Sequence, residues 1–436
     1  MSKAISRRQL LKRAGVGAGG LVVSGALAEP IWARPRSVDA DNTITLGFVS
    51  PLTGPAAGFG EPDQYVIGLA RKAFAKGLTI GGTKYDVVIV EKDAQSAPAE
   101  AAKVAGDLIH GSNIDLMLAT STPEVVNPVA DASEAAGVPY ITTVVPWEAW
   151  YFGRGAKDPT QSPFQFGIHF SFGVKNFADA YTHLWPQVKT NKKIGVMWPN
   201  DADGNAIRAG LGPLLQKAGY TIVDPGGYQD GTTDYSAQIA KFKSANCEIF
   251  NTFPIPPDFA TFWRQAAQQG YTKKVKIAQI AKTGLFPSQV TALGSLGNNL
   301  ASAVYWHPTW PYRSPLTGVS NKALADGYKA HSHKQWNQQA GASLSLFDVA
   351  VAVLKASGNP KDKSAVAAAM KKVKVETPLG VLDWTKTRPG VPWNVVPTPI
   401  PGGQWVKTGD KYKIDFTICE HSDDPKIPIG GHLKAY

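Results

Sequence analysis

The chain has 436 residues, 43% of them hydrophobic and 18% charged, with a formal net charge of +11. That length exceeds what one core ordinarily supports, so two packed units are expected, and the apolar content is ample for both. The basic residues are scattered rather than clustered in a stripe interleaved with aromatics, which argues against nucleic acid as a partner. With only 2 cysteines, Cys247 and Cys419, disulfides do not build the fold; the two thiols either pair or stay buried separately.

The chain opens on a basic run, Ser6-Arg7-Arg8-Gln9-Leu10-Leu11-Lys12, followed by a weakly apolar stretch from Ala14 to Ala28. This order of charge, apolar segment and small-residue exit predicts a cleavable export signal over residues 1–33, with Ala26-Leu27-Ala28 or Ile31-Trp32-Ala33 as the cleavage site. The stretch is too short and too rich in glycine for a membrane span, which needs about 20 apolar residues. The basic run resembles the twin-arginine signal of bacterial folded-protein export, with Leu10 where phenylalanine is common. The segment contributes Lys3, Arg7, Arg8, Lys12 and Arg13 against Glu29, so its removal leaves a charge of +7.

From Thr43 short β-branched runs alternate with helical stretches. Ile44 to Val49 predicts a strand, Gln64 to Lys76 a helix, Tyr85 to Val90 a strand, Ala97 to His110 a helix and Asp115 to Ala119 a strand. Pro123 to Ala136 is the next helix, stopped by Gly137, and Pro139 to Thr142 the next strand. Nearly continuous apolar strands separated by helices predict an α/β fold with a parallel sheet covered on both faces.

After a loop rich in Gly, Pro and aromatics around Trp147 to Pro163 the same grammar returns. Strands are predicted over Lys193 to Trp198, Tyr220 to Val223, Cys247 to Phe253 and Val275 to Ile280, with helices over Ala206 to Ala218, Tyr235 to Ala245 and Phe259 to Gln269 between them. From Trp306 onward helices are predicted at Asn321 to Trp336, Ser343 to Ser357 and Lys363 to Val373, before a β-like Gly380 to Trp384 and a tail dominated by Gly and Pro.

Several motifs fail on context. Gly15, Gly17 and Gly20 match a dinucleotide fingerprint, yet they lie in the leader, without the preceding strand that the chemistry requires. There is no Gly-x-Ser-x-Gly elbow and no phosphate-binding loop, so an enzyme lacks a nucleophile and no cofactor is implied. His331 and His333 stand two apart on a predicted helix and face different ways, so no metal site is expected. His169 is different, because it falls where the chain passes between the two units.

Open α/β sheets bind ligands at the carboxyl ends of their strands, where helix N-termini offer free N–H donors. The loops at those ends are Pro51 to Gly60, with Phe59; Thr120-Ser121-Thr122-Pro123; Val144 to Tyr151, with Val145 and Trp147; Trp198 to Asp203, with Asp201; Phe253 to Pro256; and Ala281 to Gly284, with Lys282. One hydroxyl of Thr120 to Thr122 is expected to cap the following helix, leaving two for other work.

Gly47-Phe48-Val49-Ser50-Pro51-Leu52-Thr53-Gly54, Gly231-Thr232-Thr233-Asp234-Tyr235-Ser236 and Pro378-Leu379-Gly380-Val381-Leu382 together resemble the branched-chain amino acid-type, type I periplasmic binding proteins of ABC importers. The likeness runs from about Thr43 to the C-terminus and includes Asp348-Val349-Ala350 and Gln404-Trp405. It implies two Rossmann-like lobes joined by a three-crossover hinge, lobe one over 43–165 and 308–375, lobe two over 166–307 and 376–436, closing on a ligand between them.

The resemblance also implies roles for particular residues. Thr120, Ser121 and Thr122 match the segment that holds a ligand carboxylate, and Val145 and Trp147 the next contact segment. Asp203-Gly204 stands where Tyr-Gly is frequent, and Lys282 stands near the acid that takes a ligand ammonium. A lysine there would repel an ammonium while Asp203 attracts one from another direction. Trp147, Trp150, Tyr151, Trp198 and Trp306 point to an apolar or aromatic ligand, or one with delocalised cationic charge. The ligand-binding set is thus Phe59, Thr120, Ser121, Thr122, Val145, Trp147, His169, Trp198, Asp201, Asp203, Phe253 and Lys282.

The function expected is capture of a small molecule in the periplasm by a monomer, without catalysis or cofactor, for delivery to the membrane permease of an ABC importer. A ligand-sensing module with the same clamp is one alternative, distinguished by whether neighbouring genes encode a permease or a signalling protein. A periplasmic hydrolase using Asp201, Asp203 or His169 is another, distinguished by turnover that is lost on Asp203→Asn while binding remains.

Overall fold

The computed structural model describes residues 40–436. The export signal, its twin arginines and its cleavage sites lie outside the described residues.

Strands β1 (Thr43–Ser50), β2 (Leu78–Ile80), β3 (Thr83–Asp93), β4 (Leu116–Thr120), β5 (Tyr140–Thr143) and β6 (Gly167–Phe170) belong to a first sheet. The chain then crosses to a second sheet with β7 (Lys193–Met197), β8 (Thr221–Val223), β9 (Ile249–Thr252), β10 (Ile277–Ile280) and β11 (Ala301–Ala303). It returns through helices Asn321–Ser332, Gln339–Ser357 and Lys363–Ala369 and a separate hairpin, β12 (Lys374–Thr377) with β13 (Gly380–Asp383), to β14 (Val395–Val396) on the edge of the first sheet. A third crossing leads to β15 (Gly402–Lys407) and β16 (Ile414–Ile418) in the second sheet.

The strand orders are 14-6-5-4-1-3-2 and 16-15-11-10-9-7-8, so each sheet has 7 strands and the chain passes between them three times. Pairing is parallel through both centres; Leu46 of β1 stands opposite Ile89 of β3 and Leu116 of β4. Antiparallel pairs sit at the margins, β2 with β3 and β15 with β11 and β16. Parallel strands flanked by helices are buried on both faces. In β4, Leu116 and Leu118 enter one apolar cluster and Met117 and Ala119 another, the two-residue alternation of a pleated strand with helices on either side.

Sheet membership differs from the expected division in two places. Residues 167–170 and 395–396 form β6 and β14 of the first sheet, although both segments were expected in the second lobe. The Gly/Pro-rich tail supplies β15 and β16, which cover the edge of β11 with Trp405 and Phe416 in the core. The helix expected over Asn321 to Trp336 stops at Ser332, because His333 turns left-handed with φ 58° and its N–H bonds to Lys329 O. Cys247 and Cys419 are both buried and unpaired, which decides between the two alternatives for them.

Candidate functional site

The loops following β4, β5, β7, β9 and β10 converge on a small cavity between the sheets, about 30 Å³ in volume. Its polar lining consists of Ser121 and Thr122 from the first sheet and Asp203 and Lys282 from the second. Phe59, Phe172, Phe177 and Phe253 form much of the apolar wall. Each crossover also supplies a residue: Phe172 after β6, Ala303 at the end of β11 and Ile400 before β15. A rotation about the crossovers therefore changes the cavity itself.

On the first-sheet side, helix Pro123–Ala135 starts directly after Thr122, whose carbonyl accepts the Val125 and Val126 N–H groups at 3.0 and 2.9 Å. The expected side-chain cap is absent: no hydroxyl caps this helix, which carries proline at its first position. Thr120 is committed elsewhere, accepting from Gln339 Nε2 at 2.7 Å. Ser121 Oγ is buried without a hydrogen-bond partner.

On the second-sheet side, Asp201 caps helix Ala202–Lys217, its Oδ1 accepting from Gly204 N at 2.6 Å. A Cβ on Gly204 would stand 2.0 Å from Pro199 O, so only glycine lets this first turn pack so closely on the preceding loop. That packing sets Asp203 beside Lys282. The Lys282 Nζ lies 2.9 Å from Asp201 Oδ2 and 2.9 Å from Asp203 Oδ2, and all three side chains are less than one tenth exposed. Asp203 Oδ1 is buried without a partner.

Burial raises Asp203 above the ordinary carboxylate range, opposed by Lys282 and assisted by Asp201 and Glu124. Burial alone would lower Lys282, but Asp203, Asp201 and Glu124 outweigh it and hold the ammonium well above its ordinary range. Lys282 is thus a charged, neutralised group. The expectation that it confronts a ligand as a free cation is corrected by this shared ion pair.

Three non-glycine residues of the wall adopt positive φ: Ser121 at 131°, Val144 at 77° and Lys282 at 42°. Such conformations cost of order 1–3 kcal/mol each and collect where a site over-determines the backbone. For a β-branched residue such as Val144 the conformation is especially unfavourable.

A profile of the periplasmic binding protein family matches residues 43–397, most of the chain. The chain belongs to that family. It is a type I binding protein of the branched-chain amino acid type, and the family places it outside the cytoplasm. The binding protein is 26% identical over 353 residues to Leu/Ile/Val-binding protein homolog 3 of Brucella melitensis, covering 79% of this chain and 88% of that one. It is 24% identical over 398 residues to the leucine-, isoleucine-, valine-, threonine- and alanine-binding protein of Pseudomonas aeruginosa, covering 89% and 93%. Its fold matches that of a solute-binding protein of an ABC transporter from Rhodopseudomonas palustris BisB5, solved with 3,4-dihydroxybenzoic acid, with a TM-score of 0.68 and 19% identity over 88% of this chain and 99% of that one.

Of the residues expected to bind ligand, Phe59, Ser121, Thr122, Asp203, Phe253 and Lys282 line the cavity of the binding protein, and Asp201 adjoins it through Lys282. The others are placed elsewhere. Val145 is buried and uses its carbonyl on His169 Nε2 at 2.8 Å, while its neighbours Val144 and Pro146 reach the cavity. His169 also bonds Thr142 Oγ1 at 2.8 Å and stacks on Trp150 at 4.8 Å; burial drives it down to about 3, which keeps it neutral. Trp147 packs in the core of the first lobe, and Trp198 bonds Asn251 Oδ1 at 2.8 Å inside the second.

The expected tryptophan wall is likewise a core feature: Trp150 lies beneath Arg154, and Trp306 bonds Asn321 Oδ1 at 2.8 Å. Phenylalanines take its place. Phe172 and Phe177 are not among the expected residues: Phe172 lies in the short loop between β6 and helix Val174–Leu184, Phe177 lies on that crossing helix, and Ile400 lies in the Pro-rich third crossover. Strand-end position marks loops that line the cavity but not which side chain of each loop turns inward.

Proposed function

We propose that this binding protein is exported by the twin-arginine route and, as a monomer, closes its two lobes on one compact small molecule and presents the closed form to the permease of an ABC importer. The observation that carries the reading is the cavity wall, built from both sheets and from a residue at each crossover. Hinge motion of such a molecule couples directly to occupancy. The ligand is expected to have an apolar body, since four phenylalanines surround it, with polar groups directed to Ser121 and Thr122 on one lobe and to Asp203 on the other. Amino acids and aromatic compounds both satisfy that description. Relatives are named for leucine, isoleucine and valine, and a protein of the same fold holds 3,4-dihydroxybenzoic acid.

A thermal-shift screen of amino acids, aromatic acids, amides, amines and dicarboxylates tests the reading, because a ligand that binds only the folded state raises its stability by mass action. A shift that disappears in Phe253→Ala supports it. Turnover of a substrate without any stabilising ligand would overturn it.

A further inference from the structure

Lys282 is surrounded by more carboxylates than it neutralises. Asp201 and Asp203 contact it; Glu124 acts on it from the opposite lobe, and Asp258 and Asp230 face it within the second lobe. Asp258 is occupied by Gly231 N, at 3.2 and 3.0 Å from its two oxygens. No other lysine and no arginine lines the cavity among the described residues. Closing the lobes therefore brings Glu124 toward a group already rich in negative charge, and like charges in a partly desolvated cleft oppose closure.

Two buried polar atoms in the wall lack partners, Asp203 Oδ1 from the second lobe and Ser121 Oγ from the first, each on a residue no more than 4% exposed. A buried acceptor left unpaired is costly, so both mark positions where a ligand hydrogen-bond donor would restore the balance. Around them Phe172, Phe177 and Phe253 make consecutive edge-to-face contacts at 5.1 and 5.0 Å. Aromatic rings attract cations when water is excluded. Among the described residues no three His, Cys, Asp or Glu side chains converge as metal ligands, which directs the inference to an organic cation.

Resting on the solute-binding reading, we propose that the binding protein selects a compact organic ammonium compound, whose charged nitrogen donates to Asp203 Oδ1 and whose apolar body lies among the phenylalanines. The ammonium offsets the carboxylates that Glu124 and Asp203 bring together from the two lobes, so charge complementarity and closure are one event. A carboxylate ligand has no uncommitted cation to meet it, because Lys282 is already shared by Asp201 and Asp203.

The test titrates benzylamine, phenethylamine and cyclohexylamine against the matched anions benzoate, phenylacetate and cyclohexanecarboxylate, and against phenylalanine, by calorimetry and thermal shift. The expected result is that at least one ammonium compound binds at least tenfold more tightly than its anionic partner and than phenylalanine. Asp203→Asn is expected to weaken that binding at least tenfold. Glu124→Gln, at a half-buried position outside the ion pair, is expected to weaken it severalfold while leaving the melting temperature of the free protein unchanged. Tighter binding of an anion or of phenylalanine, or no binding of any ammonium compound, overturns the proposal and leaves the solute-binding reading standing. Failure of every small molecule in the wider screen counts against that reading instead.

Discussion

Lys282 and Asp203 meet at 2.9 Å on the wall of the cleft, one from a left-handed turn after β10 and the other from the first turn of helix Ala202–Lys217. Neither is expected to be stable there without the other. Removing the cation alone, as in Lys282→Met, leaves Asp201 and Asp203 buried without their partner, a change that typically costs about 3–5 kcal/mol. Urea denaturation should show a loss of that order, and the Lys282→Met/Asp203→Asn double variant should recover a substantial part of it. Additive losses in the double-mutant cycle would mean that the two side chains are not coupled.

Gly204 makes the contact possible, since any Cβ there meets Pro199 O. Gly204→Ala should destabilise the protein by about 1–3 kcal/mol, the usual cost of overpacking, although alanine favours helices. Binding of any ligand found in the screen should weaken with it, because the helix start carries Asp203. An unchanged midpoint in urea would contradict the close packing.

His169 gives the protein an acid-sensitive element. Its folded-state value near 3 lies below the ordinary 6.5, so the unfolded chain binds a proton that the folded chain refuses between those values. Its contribution to stability is therefore complete above pH 6.5 and is lost as pH falls toward 3. In a series of urea titrations, His169→Gln should reduce the slope of stability against pH in that window by about one proton. A slope identical to that of the parent protein would show that the imidazole does not titrate with unfolding.

The aromatic side chains divide into two groups with different readouts. Phe177→Ala and Phe253→Ala border the cavity from within the core, so each should cost the free protein about 3–5 kcal/mol and should also abolish ligand-induced stabilisation. Trp198→Ala removes a fully buried indole bonded to Asn251 and should cost about 3–5 kcal/mol with no ligand present. The comparison is decided by melting temperatures measured with and without ligand.

Both cysteines are buried, and burial raises Cys247 to about 11 and Cys419 to about 12. Neither should react with a thiol reagent at neutral pH in the folded protein, and both should react in denaturant. Titration of fewer than two thiols after denaturation would reveal a link that the folded geometry does not contain.

The sequence by itself determined the two-unit α/β grammar, because a strand buried on both faces must be apolar along its length and a helix over a sheet must be apolar at its own period. It also singled out Ser121, Thr122, Asp203, Phe253 and Lys282 at the carboxyl ends of strands, where they line the cavity. Only the tertiary structure decided what those residues do to one another. Lys282 and Asp203 are distant in sequence and become partners through a close helix start at Gly204 and a positive φ at Lys282, neither of which leaves a local signature. The same holds for the aromatics: composition announced many large rings, but whether a ring faces a cavity or a core depends on which side of its loop packs inward. Phe172 and Phe177 reach the wall from the core, while Trp147, Trp150 and Trp198 pack in the cores without lining it.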